Sequence, residues 1–425
     1  MAAKKRVLNV EKKLMPMSMT VCKKRKRDFK QKGHEETRTW SNLPNDILSE
    51  IMEKVCVFDR LQCQAVCKGW LNPHHGVEHE HEHVEVFPWL MTYKWDKISE
   101  DQVKSDCKLY RPFCENKGPF IVEDGITNMG RENFVGARAC ASKFGWVLFC
   151  KEKECGKGTS FFLFAPFSKE IINLPNLDSN IDVASFSHSP NSPDCVFFVM
   201  HQSSRHKAIT INVCGFSDQS WQTHVFEIDK IPGPIRSVVY NDGNFYCLFG
   251  LKTLATFSTI HKEFRLLTKV RPFDPCHYEI PHLLHSNGEV LVVYFDLFRR
   301  DSFRIFKFDW SKKTWVLKRS LKNQALFLGC NSFSVPAAGK AIQLANKVFY
   351  NHNAFSNILS YDFKNDVTSM REIPEVYGRD ASQGLKTVWI VPCRCCCSIG
   401  SREHELCQGS ENSGKATSTC KIALV

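Results

Sequence analysis

No stretch of the 425 residues approaches the ~20 consecutive apolar residues that a membrane-spanning helix needs. The longest apolar runs, such as Cys195 to Met200, stop far short of it. The first residues hold no apolar segment of the kind that marks a secretory leader, so no export signal is expected. Signatures of catalysis are missing too. There is no G-x-S-x-G elbow and no Walker loop, and Gly156-Lys157-Gly158-Thr159 lacks the spacing to cradle phosphates. Acids are scarce at the front, where residues 1–32 carry 12 Lys and Arg against 2 Asp and Glu. That segment accounts for +10 of the net charge of +12, leaving 45 bases against 43 acids elsewhere. The body of the chain is thus nearly neutral, and a basic groove for nucleic acid is not implied there.

Cysteine, by contrast, is plentiful: 20 residues, most of them single within apolar stretches (Cys140, Cys150, Cys195, Cys247, Cys330). Without a secretory route they read as reduced, buried small hydrophobes rather than a disulfide framework. The length predicts two or three domains with ample chain for a large core.

Between Ser41 and Trp70 the apolar residues return at helical spacing. Leu43, Ile47, Leu48, Ile51 and Val55 fall on one side, with Pro44 in the first turn and Asp46 where the helix dipole favours an acid. A second group follows at Leu61, Ala65, Val66 and Trp70. About thirty residues cannot bury that much apolar surface among themselves, so the unit needs a partner or a neighbouring domain. The order Leu43-Pro44-x-x-Ile47-Leu48-x-x-Ile51, then Val66-Cys67-Lys68-x-Trp70, resembles the F-box, the helical module that docks substrate receptors onto the Skp-family adaptor of cullin-based ubiquitin ligases. Val57-Phe58 departs from it, standing where many members carry Leu-Pro. The resemblance implies an adaptor-binding face of Leu43, Pro44, Ile47, Leu48, Ile51, Val66 and Trp70. The residues alone also allow an ordinary amphipathic hairpin packed on its own domain.

The basic front, with its run Lys23, Lys24, Arg25, Lys26 and Arg27, has no sustained apolar period and is expected to be disordered. Extended Lys and Arg side chains suit the acidic grooves of a nuclear import receptor, so the run is read as a nuclear localisation signal, with a merely solvated tail as the alternative. His79-Glu80-x-x-His83 formally fits a zinc-peptidase motif, but strict His/Glu alternation over residues 79–83 generates the match by composition; a solvated linker is expected. No metal or cofactor site is assigned.

From about Leu109 the texture changes to short strands rich in Phe, Val, Ile, Tyr and Trp, joined by turns such as Asn241-Asp-Gly-Asn244, Asn287-Gly288 and Ser311-Lys-Lys313. An all-β domain of this length suits a propeller of about six four-stranded blades. A unit of strand, polar turn and returning strand with a large apolar side chain appears as Arg304 to Trp315, with fainter copies at Phe164 to Leu174 and from Ile358. Trp315 is accordingly expected in the core.

Three segments in order, Phe161 to Pro175, Asn241 to Gly250, and Ser320 to Ser334 with Asn346 to Tyr350, resemble the kelch-like β-propeller behind the F-box in a large plant family of F-box and F-box/kelch-repeat proteins. The glycine doublets of strict kelch repeats are absent, and Asn323-Gln324 stands where relatives often carry Gly-Asp. Expected boundaries are a basic tail (1–38), F-box (39–75), linker (76–108), propeller (109–392) and a Cys-rich disordered tail (393–425). In that tail the cluster Cys393 to Cys397 is either a modification site or inert. What the resemblance implies is a non-enzymatic substrate receptor of an SCF-type ligase, in nucleus or cytoplasm, with the Skp-family adaptor, cullin, an import receptor and a protein target as partners. The rivals are a nuclear scaffold with a degenerate F-box and a sugar- or metal-dependent propeller enzyme.

Overall fold

Strand after strand from Trp89 onward hides large apolar side chains, and a sheet that does so needs another sheet against each face. A computed structural model of the chain shows how. It describes residues 43–44, 46–48, 50, 87–99, 102–113, 120–121, 133–153, 158–203, 207–229, 232–268, 279–296, 303–351, 357–372 and 386–392. Apart from short helical segments near Leu48, at residues 133–134 and at Gly339–Leu344, and turns and connecting loops, the described residues form strands in six sheets.

The first sheet holds Trp89–Ser99 (β1), Gln102–Tyr110 (β2) and Phe120–Ile121 (β3). The second is Arg138–Lys143 (β4), Trp146–Glu152 (β5), Thr159–Ala165 (β6) and Glu170–Asn173 (β7), and the third Val183–Phe186 (β8), Val196–Ser203 (β9), Ala208–Gly215 (β10) and Gln222–Glu227 (β11). Next come Ile235–Asn241 (β12), Asn244–Phe249 (β13), Thr253–Ser258 (β14) and Phe264–Leu266 (β15). The fifth sheet is Glu279–Ser286 (β16), Glu289–Asp296 (β17), Phe303–Asp309 (β18) and Thr314–Leu317 (β19). The sixth is Gln324–Leu328 (β20), Phe333–Pro336 (β21), Lys347–Tyr350 (β22), Asn357–Asp362 (β23) and Val367–Glu372 (β24), ordered β21-β20-β22-β23-β24. Lys386–Ile390 (β25) returns to the first sheet and pairs antiparallel with β1, from Trp89↔Ile390 to Tyr93↔Lys386.

Six buried clusters lie one between each pair of neighbouring sheets. Trp89, Met91, Tyr93 and Trp95 meet Phe149, Phe162 and Phe164 between the first and second. The sequence of clusters continues around to Phe327, Phe349 and Trp389, which join the sixth sheet back to the first. Contacts run from β25 to β4, β8, β12, β16 and β21, so these are the inner strands. The molecule is a six-bladed β-propeller, closed by its last strand.

Two expectations change. The first blade begins at Trp89 rather than Leu109, inside the stretch assigned to a linker. One blade has five strands instead of four, because β22 runs parallel to β20 after a short 3-10 turn at Gly339–Leu344. The repeated units fall where a propeller needs them. Phe144-Gly145, Asp242-Gly243 and Asn287-Gly288 all have positive φ at both positions and join inner strands to their neighbours as tight hairpins. The copies at Phe164, Arg304 and Ile358 are all hairpins between the last two strands of a blade, and Trp315 is buried as expected. Its indole N–H donates to the Lys252 carbonyl of the preceding blade at 2.7 Å. Trp221 does the same towards Pro175, also at 2.7 Å.

Glycine matters most at Gly158, where φ is +104° and an added Cβ would lie 2.9 Å from the Leu177 carbonyl oxygen. At Gly288 φ is +76° and nothing lies within 4 Å. Gly288→Ala is expected to cost about 1 kcal/mol from backbone strain alone. Gly158→Ala should cost more than about 2 kcal/mol, since the same strain is joined by a clash with backbone. Denaturant melts of the two variants check the ranking, and equal midpoints contradict it.

Candidate functional site

The front module contributes a short described segment. Asp46, Ile47, Leu48 and Glu50 are helical, and the Leu48 N–H donates to the Pro44 carbonyl at 3.0 Å, closing the first turn. Proline is tolerated there because its missing N–H has no helical partner to lose. Leu48 is 1 % exposed and Leu43 half-buried, whereas Pro44 is exposed and Ile47 is 42 % exposed. Consecutive helical residues point about 100° apart, so a pair such as Ile47-Leu48 serves two faces at once. Leu48 is therefore buried within this chain, while Pro44 and Ile47 meet solvent. Ile51, Val66 and Trp70 lie outside the described residues, as do Lys23 to Arg27, His79 to His83 and Cys393 to Cys397.

In the propeller, antiparallel order sorts the connections by end. In the second to fifth blades, the connections after the first and third strands lie at one end; most are short turns, and the exception is the β8–β9 loop of residues 187–195. At the other lie the second-to-third-strand and blade-to-blade connections, among whose described residues are 174–182. Longer connections offer more varied surface, and binding residues concentrate on such loops over a rigid scaffold. Described parts of this end are well tied. The Thr159 N–H donates to the Leu177 carbonyl at 2.7 Å, and Lys153 pairs with Asp178 at 3.3 Å.

The inner strands are not apolar. Ser142, Ser185, His282, Ser286 and Ser334 are buried on or beside them, and Arg138, Lys143 and His285 are half-buried. Lys143, His282 and Ser334 use their side chains to join blades. Lys143 Nζ donates to the Phe186 carbonyl at 2.9 Å, with the Phe186 and Tyr240 rings each 5.9 Å away, and desolvation draws its ammonium down to about 8. Asn331 donates its amide to the Ser142 carbonyl, tying the β20–β21 loop to the second blade. His282 Nδ1 lies 3.2 Å from Ser332 Oγ, and His188 Nδ1 lies 3.0 Å from Ser187 Oγ and 3.1 Å from the Asp194 carbonyl oxygen. Burial lowers the pKa of His285. Among the described residues no group of three or more His, Cys, Asp and Glu is placed to hold a metal ion. Cys330 departs from expectation, since it is exposed, while Cys150, Cys195 and Cys247 are buried.

Comparison with known proteins agrees with this anatomy. Residues 40–72 match the F-box domain, and residues 121–378 match the KIB1-4 beta-propeller. An F-box/kelch-repeat protein of Arabidopsis thaliana (At1g57790) is 24% identical over 361 residues, covering 83% of this chain and 94% of its own. An F-box protein of the same plant (At3g56470) is 24% identical over 300 residues, 69% of this chain and 73% of its own. Among solved structures, the SapL1 lectin in complex with alpha methyl fucoside aligns with a TM-score of 0.38 at 12% identity, over 67% of this chain and 93% of that one. That likeness is too distant to carry an argument. With an F-box ahead of a propeller that matches more than half its length, the chain belongs to the KIB1-4 β-propeller family of F-box proteins.

Proposed function

We propose that this protein is the substrate-recognition subunit of an SCF-type ubiquitin ligase. The observation that carries the reading is the coupling, in one chain, of an F-box at residues 40–72 with a closed six-bladed propeller. The F-box docks on a Skp-family adaptor, with cullin behind it, and the propeller holds a protein target. The chain itself performs no bond chemistry. It raises the effective concentration of a target lysine near ubiquitin activated on the recruited conjugating enzyme. Import through Lys23 to Arg27 would carry the receptor into the nucleus.

The exposed side chains choose the test. In the full chain co-expressed with a Skp-family adaptor, Ile47→Asp is expected to lower adaptor capture at least tenfold, about 1.4 kcal/mol, by placing an unpaired charge in an apolar contact. The melting of the propeller should not change. Leu48→Ala should weaken capture only by loosening the helix that presents Ile47, and it should register as a loss of helical stability. Undiminished capture by Ile47→Asp rules out this docking face. Adaptor capture without cullin favours a scaffold outside any ligase.

A further inference from the structure

Seven cysteines are among the described residues, and two of them meet: Cys140 Sγ lies 3.2 Å from Cys150 Sγ. The register explains the meeting. Strands β4 and β5 pair Arg138↔Cys150 and Ala139↔Phe149, then resume at Ala141↔Leu148, which leaves Cys140 as the extra residue of a β-bulge. A bulge re-aims the side chain it carries, and here it turns the Cys140 thiol onto its diagonal neighbour. The third member is Arg138, whose Nη1 stands 3.9 Å from Cys140 Sγ.

This trio has the chemistry of a reactive dithiol. The Cys140 S–H donates to Cys150 sulfur; that contact lowers the pKa of Cys150, with the Arg138 charge acting the same way, and together with burial it raises that of Cys140. One thiolate is thereby favoured with a proton-bearing thiol beside it. Cys150 is buried, but Cys140 is half-buried and opens the pair to a small reagent. The remaining thiols differ. Cys195 donates to the His188 carbonyl at 3.3 Å and Cys214 to the Gly215 carbonyl at 3.4 Å, and burial pushes both up to about 11. Cys247 sits sealed in the third interface, near the Phe245 carbonyl.

We propose that Cys140 and Cys150 form an oxidisable pair that closes to an intrachain disulfide on reaction with a hydroperoxide. The Cys150 thiolate attacks one peroxide oxygen, the O–O bond breaks, and a sulfenic acid forms as the leaving hydroxide takes up a proton to become water. Cys140 sulfur, giving up its proton, then attacks Cys150 sulfur. The S–S bond forms, the S–O bond breaks, and a second water leaves. Two thiols lose two hydrogens while hydrogen peroxide is reduced to two waters. Closing the pair requires the sulfurs to approach by roughly 1 Å, to the ~2.05 Å of a disulfide, within reach of side-chain rotation.

The full chain is treated with hydrogen peroxide in its native state, quenched, denatured, alkylated, and digested without reductant for mass spectrometry. The expected result is a Cys140–Cys150 linked peptide, the loss of two alkylatable thiols per chain, and full recovery of both by dithiothreitol. Cys330→Ser should leave the link unchanged, and Cys140→Ser should abolish it while retaining the wild-type melt. Recovery of both cysteines alkylated after oxidation, or of Cys140 linked to Cys330 instead, overturns the proposal. Because the wild-type chain itself gives the decisive peptide, a poorly folding variant cannot obscure the answer.

Discussion

Ending the chain after Leu385 is expected to abolish cooperative melting of the propeller, whereas ending it after Pro392 should leave the melt unchanged. The two truncations differ only by β25 and two residues beyond it. That strand supplies the main-chain ladder with β1 from Trp89↔Ile390 to Tyr93↔Lys386. It also buries Val388, Trp389 and Ile390 in the two clusters that flank the first blade. Trp389 packs edge-on against Phe327 with ring centroids 5.0 Å apart. At about 1.5–3 kcal/mol per fully buried large apolar side chain, three such losses come to roughly 5 kcal/mol or more. That rivals the ~5–15 kcal/mol total stability of an ordinary domain. The ring opens as well, so the first and sixth blades each lose a neighbour. Thermal melts and size-exclusion profiles of both truncations decide the matter, and a sharp transition in the shorter chain within a few degrees of the full one refutes it.

A single substitution with comparable reach is Phe149→Ala. Phe149 stacks on Phe162 at 5.2 Å and meets Tyr93 at 5.3 Å, Phe134 at 5.5 Å and Trp95 at 6.0 Å, all edge-on. It is fully buried between the first and second blades. Removing the ring leaves a cavity walled by rigid aromatics that cannot collapse into it, so the expected cost is ~3–5 kcal/mol. Phe149→Leu, which keeps most of the volume, should cost about 1.5 kcal/mol or less. Trp310 is the counter-example. It is larger, yet it stands 47 % exposed on a turn, touching Tyr246 and Phe308. Trp310→Ala should therefore cost less than Phe149→Ala despite the bigger deletion. Denaturant midpoints at unchanged slope measure all three, and a reversed order of Phe149→Ala and Trp310→Ala would falsify the claim that interface position outranks size.

The features legible in sequence were those with short-range causes. Asp242-Gly243 and Asn287-Gly288 announce hairpins because few other pairs tolerate positive φ at two successive residues. The strand, turn and Trp pattern around Trp315 is likewise local. The first blade was missed because β1 has a partner nearly 300 residues away in β25, and no nearby residue records that pairing. A usable signal was present: Trp89, Met91, Tyr93 and Trp95 alternate with smaller or polar neighbours, the period of a half-buried strand. In the front helix the apolar stripe was visible, but not its division, since both Ile47 and Leu48 satisfy the same hydrophobic period and only coordinates show Leu48 turned inward. The bulge that joins Cys140 to Cys150 left no trace in composition. An extra residue in a strand alters register without altering character.

Closure by the final strand also sets a timetable for synthesis. At ~5–20 residues per second, roughly 15–60 s separate the emergence of β1 from that of β25, during which β1 has an open hydrogen-bonding edge. The nascent first blade must be shielded from pairing with other chains over that interval, so the yield of folded protein should depend on chaperone supply as well as on transcription.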